Sequence, residues 1–269
     1  MAVRKAKPTG RKRVTSPTRK LAAASGSRNR AAVAPPVATP PPVKALLREA
    51  LAGLERKSSA HDRQNLTRFG ITARNAYGVS MANLKVLAKP LGRNHELALA
   101  LWKTDRHEAR MLATLVDHPA EVTPAQMDDW RRDFDNWAIC DTACFCLFDR
   151  SPHSWKKISA WSRSRNEFGK RAAFALLASL ALHDKHSPDT PFLAGLRLIE
   201  AAATDERNFV KKGVNWALRA VGLRNAALHA ASLAMARRLA ASSDATARWV
   251  GKGALRELSA AKKLRGLGT

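Results

Sequence analysis

The chain has 269 residues, with 47 Lys and Arg against 22 Asp and Glu, a formal net charge of +25 and a pI of about 11.1. So basic a balance implies a polyanionic partner, nucleic acid ahead of an acidic membrane surface, and 45% hydrophobic residues suffice for a buried core. No apolar run reaches the ~18 residues that span a bilayer, and no apolar h-region of a signal peptide follows the basic start.

Residues 1–44 stand apart. "RKAKPTGRKRVTSPTRK" and "AAVAPPVATPPPVK" are rich in Pro, Ala, Ser and base, with eleven Lys or Arg and no acid. Such a segment cannot bury enough apolar surface to fold, so it is expected to be a disordered electrostatic arm whose phosphate contacts make binding salt-dependent. The alternatives are a solvated extension or a transit peptide. The remainder, 45–269, is expected to form one domain that is itself strongly basic.

From residue 45 the pattern is helical almost throughout. "KALLREALAGLERK", "ELALALWK", "EARMLATLVD", "KRAAFALLASLALHD", "FLAGLRLIEAAA", "LHAASLAMARRLAA" and "GKGALRELS" place good helix formers at helical spacing. Ser80 and Ser243 read as caps, and Thr123-Pro124 with Gln126 reads as a capping box. Ser151-Pro152 and Thr190-Pro191 repeat the signal of a cap followed by proline. No run alternates β-branched residues, so strands are not expected. About a dozen short helices in pairs, near the ~40-residue spacing of HEAT-type arrays, predict an all-α HEAT-like helical repeat solenoid of stacked antiparallel pairs with a concave basic face.

Three elements carry candidate chemistry. In "FDNWAICDTACFC", Asp141 shares a helix face with Trp137, Phe145 and Phe148. A carboxylate there must be paired, solvated or used. In "NFVKKGVNWALRAVG", Lys212, Trp216 and Arg219 make one basic–aromatic–basic stripe beside Lys211, suited to phosphates and a sugar or base face. In "EFGKRAAFALLASL", Lys170 and Arg171 precede a strongly apolar helix. Plainer readings stand beside these. Asp141 is then an ion-pair partner of Arg171 or Arg219, or a cap, and Trp216 is a core residue next to Phe209, Gly213 and Ala220. Trp102, Trp130, Trp155, Trp161 and Trp249 read as packing or rim residues. The cysteines at 140, 144 and 146 match no standard zinc spacing and read as buried apolar side chains in a reducing cytoplasm. No P-loop or G-x-G-x-x-G occurs.

"YGVSMANLKVLAK", "HEARMLATLVDHP", "FDNWAICDTAC", "KRAAFALLASLALHDK" and "RNFVKKGVNWALRAVG", in that order, resemble the AlkD-like DNA alkylation repair glycosylases built from HEAT-like repeats. The resemblance covers roughly Gly70 to Leu258. It implies that Trp137, Asp141 and Trp216 surround the deoxyribose of a damaged nucleotide. It also implies that Arg171, or the adjacent Lys170, holds a nearby phosphate; Lys211, Lys212 and Arg219 of the basic stripe are then expected as further DNA contacts. One departure is Ala138, where many relatives carry an acid. The implied activity is excision of N3- or N7-alkylated purines from duplex DNA by a monomer, in the cytoplasm and on the nucleoid, with no metal or organic cofactor. The alternatives are a non-catalytic HEAT-like protein that binds DNA structure by shape, and a protein-interaction scaffold.

Overall fold

The computed structural model describes residues 41–72 and 75–260, so positions 1–40 of the arm expected over 1–44 lie outside the described residues. Among the described residues there are thirteen α-helices and no strand. The first helix, α1, runs Val43–Arg56, so Val43 and Lys44 are helical rather than part of the arm. Then come α2 (Ala60–Arg68), α3 (Met81–Leu91), α4 (His95–Trp102), α5 (His107–Val116), α6 (Pro124–Arg132) and α7 (Trp137–Cys146). A 3-10 turn over Phe148–Arg150 leads to α8 (Ser154–Trp161), α9 (Glu167–His183), α10 (Asp189–Ala201), α11 (Asn208–Gly222), α12 (Ala226–Ala240) and α13 (Ala245–Ala260).

The helices form two layers. In one, α3, α5, α7, α9, α11 and α13 each pack against the next. In the other, α8, α10 and α12 follow in order and cover the first layer. There α4 and α6 are joined by Trp102 stacked on Trp130, centroids 3.9 Å apart. Asp128 of α6 in turn accepts from Trp161 Nε1 (2.7 Å) and Lys157 Nζ (2.6 Å) of α8. Of the tryptophans that the sequence assigns to packing or the rim, Trp102, Trp130, Trp155 and Trp161 pack in the core or against it, and Trp249, 46% exposed, lies at the rim. The pairs open at His95, Pro124, Ser154, Asp189 and Ala226, so each repeat is shorter than the ~40 residues expected. The shortening comes from helices of 8–10 residues in α4 to α8.

Capping explains several starts and corrects others. Ser80 and Thr123 cap as expected, accepting from Asn83 N and Gln126 N. The Gln126 side chain does not close the box; its Nε2 donates to buried Asp117 Oδ2 at 2.6 Å. Ser151 accepts from His153 N inside the turn before α8, Thr190 lies within α10, and Asp244 rather than Ser243 accepts from Ala247 N at the start of α13. Asparagine does much of the remaining work: Asn94, Asn136, Asn166 and Asn225 cap α4, α7, α9 and α12.

The last two helices meet at Gly251. A Cβ there would lie 2.6 Å from the Leu239 carbonyl carbon and 2.8 Å from the Ala236 oxygen, both backbone atoms of α12. Gly251→Ala must push α13 away, so it is expected to cost about 2–3 kcal/mol. In a chain of this size that lowers Tm by roughly 5–10 °C in a thermal melt. An unchanged Tm would show that the contact yields easily.

Candidate functional site

Asn136 starts the site. Its Oδ1 accepts from Ala138 N (3.0 Å) and Ile139 N (3.1 Å), which fixes where α7 begins and makes Trp137 its first residue. Trp137 is half-buried, and its Nε1 donates to the Phe69 carbonyl at 3.0 Å. One turn later on the same helix is Asp141.

Asp141 is paired. Arg171 of α9 grips it with two donors, Nε to Oδ1 at 2.8 Å and Nη2 to Oδ2 at 2.6 Å, while Arg171 Nη1 donates to the Phe209 carbonyl of α11 at 2.8 Å. One guanidinium thus ties three consecutive helices of the layer together. Burial pushes the Asp141 carboxyl above its ordinary pKa, and the two bonds and the charge of Arg171 pull the other way. Both oxygens accept, which is the geometry of an ionised carboxylate on a guanidinium fork. The Asp141 side chain keeps 20% of its surface and Arg171 only 8%, so the acid still reaches solvent while the base scarcely does.

The other expected residues fall around this tie. Trp216 lies two turns along α11 from Phe209, half-buried and packed against the core. The Lys170 Nζ is held 2.8 Å from Asp205, which also accepts from Arg207 Nε (2.8 Å) and Nη2 (2.6 Å). Arg207, then Lys170, hold the Asp205 carboxyl far below the usual carboxylate range. Arg219 Nη1 bonds Glu257 of α13, and Lys211 Nζ sits 5.6 Å over the Trp249 ring. Of the cations expected to bind DNA, Lys212 is the one that is exposed and has no acidic partner among the described residues; its Nζ lies 5.7 Å over the Phe209 ring. The structure therefore joins Asp141 to Arg171 directly, with Trp137 one turn before Asp141 on α7, while Trp216 stands on α11 two turns past the Phe209 carbonyl that Arg171 holds. Lys170, Arg171 and Arg219 are bound to acids.

Sequence reading missed several supports. Glu167 Oε1 accepts from Phe209 N at 2.8 Å, supplying α11 with the acceptor that its uncapped start lacks. Glu108, 1% exposed, accepts from Tyr77 N (2.7 Å), Gly78 N (2.8 Å) and Val79 N (3.2 Å) and so pins the segment leading into α3. Asn136 had a visible signal, a capping residue just before an apolar helix. Glu108 had none, because its partners lie about thirty positions away and are backbone groups. Cys140 and Cys144 are buried and donate weakly to the Phe168 and Ala172 carbonyls of α9, whereas Cys146 is only half-buried, unlike the expectation for it. Burial pushes the Cys144 thiol well up, as for an inert side chain. Among the described residues no three His, Cys, Asp or Glu gather to hold a metal, and no helix is long and apolar enough to cross a membrane.

Comparison with known proteins gives two matches. The sequence profile of the family described as DNA alkylation repair enzyme matches residues 50–258. A solved structure overlays with a TM-score of 0.65 at 18% identity, covering 71% of this chain and 82% of its own. That structure belongs to a family described as related to the HEAT-like repeat DNA glycosylases, with affinity for branched DNA structures. The likeness shows the HEAT-like repeat fold. No curated protein sequence matches the chain.

Proposed function

Because the chain belongs to the DNA alkylation repair enzyme family, we propose that it is a monofunctional DNA glycosylase that hydrolyses the N-glycosidic bond of purines alkylated at N3 or N7. The observation that carries the reading is Asp141: an ionised, partly solvated carboxylate, held by Arg171 one turn from an indole on the same helix.

The chemistry asks for little more. Alkylation at N3 or N7 makes the base cationic, so it leaves as a neutral molecule with the bonding electrons and needs no general acid. That removes the need for the second carboxylate of an ordinary glycosidase. The sugar left behind is oxocarbenium-like. Each Asp141 oxygen accepts one bond from Arg171 and keeps a second lone pair, which can face that cation and take a proton from the attacking water. The water oxygen bonds to the anomeric carbon, and its proton passes through Asp141 to solvent. Indole faces carry a negative quadrupole that favours the same cation, which gives Trp137 and Trp216 their role. Arg171 is a positioning residue, since its Nε, Nη1 and Nη2 all donate to protein acceptors. Lys170 likewise steadies the start of α9 through Asp205. Phosphate contact falls first to Lys212, then to Lys211 and Arg219 at the same end of the layer.

Lys212→Ala is expected to weaken duplex binding by a similar factor on every sequence. It should also reduce the slope of log affinity against log salt by about 0.9, the release of one phosphate contact. An unchanged slope would remove Lys212 from the interface.

A second reading is favoured by the same ion pair. Arg171 occupies both oxygens of Asp141, and the solved neighbour is described by affinity for branched DNA. On that reading the fold serves DNA-structure binding without base loss. Release of free base from duplex DNA carrying N7-methylguanine, above the rate without protein, supports the glycosylase. Tight binding with no release supports the alternative.

A further inference from the structure

The face between α11 and α13 carries an aromatic, Trp249, and two cations, Lys252 and Arg256, to which the glycosylase reading gives no role. Trp249, in the second turn of α13, has 46% of its surface exposed, while Trp102, Trp130 and Trp161 are buried. Lys252 and Arg256 follow at i+3 and i+7, on the same side of that helix. Both are exposed, and neither meets an acidic side chain among the described residues. From α11 come Lys211, whose Nζ lies 5.6 Å over the Trp249 ring, and Arg219, bonded to Glu257. Trp249, Lys252, Arg256, Arg219, Glu257 and Asn215 line a pocket of about 380 Å³. Asn215 also fixes the helix pair, donating through Nδ2 to the Val250 carbonyl at 2.9 Å.

We propose that this pocket binds an unpaired DNA nucleotide, its base stacked on Trp249 and its phosphates on Lys252 and Arg256. A base inside a duplex has no free face, so an exposed indole has something to stack on only where a base is out of the helix. The flanking cations suit the backbone on either side of such a base. Glu257 lies more than two turns beyond Trp249 on α13, next to Arg256 and bonded by Arg219, and so closes the end of the pocket away from the indole. The pocket thereby selects DNA with a single-stranded branch or overhang at the α13 end of the layer. The inference rests on the reading that this layer faces DNA, and it is separate from whether Asp141 performs excision.

The test is binding of the full chain to two ligands of equal duplex length, one blunt and one carrying a short single-stranded flap. Trp249→Ala and Trp249→Phe are measured beside the wild type. Because Trp249 is exposed, neither substitution opens the core. The wild type is expected to bind the flapped DNA about tenfold more tightly, the worth of one stacked base. Trp249→Ala should lose that preference while keeping its affinity for the blunt duplex, and Trp249→Phe should retain most of it. The proposal is overturned if the wild type shows no preference, if Trp249→Ala keeps it, or if Trp249→Ala loses affinity equally for both ligands. Base release from the blunt alkylated duplex is recorded with the same proteins. Normal release by Trp249→Ala with no flap preference in the wild type sinks this inference alone; flap preference without release sinks only the glycosylase reading.

Discussion

Asp141→Asn is expected to lower the single-turnover rate of base release by about a hundredfold or more, the loss typical of removing one key electrostatic group, while DNA affinity stays close to that of the wild type. The amide keeps the shape and one oxygen acceptor but loses the negative charge that faces the sugar cation. It also leaves Arg171, almost fully covered, without a counter-charge. Removing one partner of a buried ion pair commonly costs about 3–5 kcal/mol. Here the remaining oxygen and the Phe209 carbonyl still satisfy part of the guanidinium, so a fall at the lower end of that range is expected in a thermal melt. A variant that still binds DNA separates the two effects, since an unfolded protein would lose binding and release together.

The pH dependence has a definite sign. Burial raises the Asp141 carboxyl in the folded protein. Its ionised form, the one needed beside the sugar, is therefore lost on the acid side earlier than for an ordinary aspartate. Enzyme-dependent release should fall as pH is lowered through that raised value, and Asp141→Asn should show no such limb. For stability the same shift runs the other way. A carboxyl raised on folding favours the fold below its unfolded pKa, and that contribution is lost as pH rises through the folded value.

Glu108→Ala should produce the largest loss of stability. The carboxylate is 1% exposed and accepts three backbone N–H groups in succession, from Tyr77, Gly78 and Val79. Alanine leaves those donors without a partner, at about 1–3 kcal/mol for each one that water does not reach. A total loss of roughly 3 kcal/mol or more lowers Tm by about 6–12 °C for a domain of this size. The segment it pins connects α2 to α3, and the end of α2 holds the Phe69 carbonyl that orients Trp137. Protease cleavage near residues 75–80 should therefore appear before any cut elsewhere in the domain. Glu108→Gln keeps one acceptor and should fall between the two. If Glu108→Ala melts with the wild type, the carboxylate does not organise this region.

Periodicity made the helices legible. Leu, Ala and charged residues recur at helical spacing, and the two-layer array follows from short helices that each bury one face. Their starts were less legible. At Ser151, Thr190 and Ser243 the cap-like residue lies one to three positions from the true start, because local sequence offers several capping residues and tertiary packing selects among them. The site divides in the same way. Trp137 and Asp141 show themselves by spacing on one helix. That Arg171 grips Asp141 was one of two pairings the sequence left open, and choosing Arg171 over Arg219 required the placement of α9 between α7 and α11. The acids that hold Lys170 and Arg219, Asp205 and Glu257, sit 35 and 38 positions away, beyond the reach of any local pattern. Long-range ion pairing therefore decides which cations in a basic stripe are free to meet a phosphate.

The central claim is that Asp141 acts on the sugar of a damaged nucleotide. The most direct measurement is single-turnover release of N3-methyladenine or N7-methylguanine from duplex DNA by the full chain and by Asp141→Asn, each first shown to bind that duplex and each corrected for loss without protein. The account predicts rapid release by the wild type and release near the uncatalysed rate by the bound variant. Equal release by both, or none from either while both remain bound, would contradict it and leave Asp141 as the structural partner of Arg171.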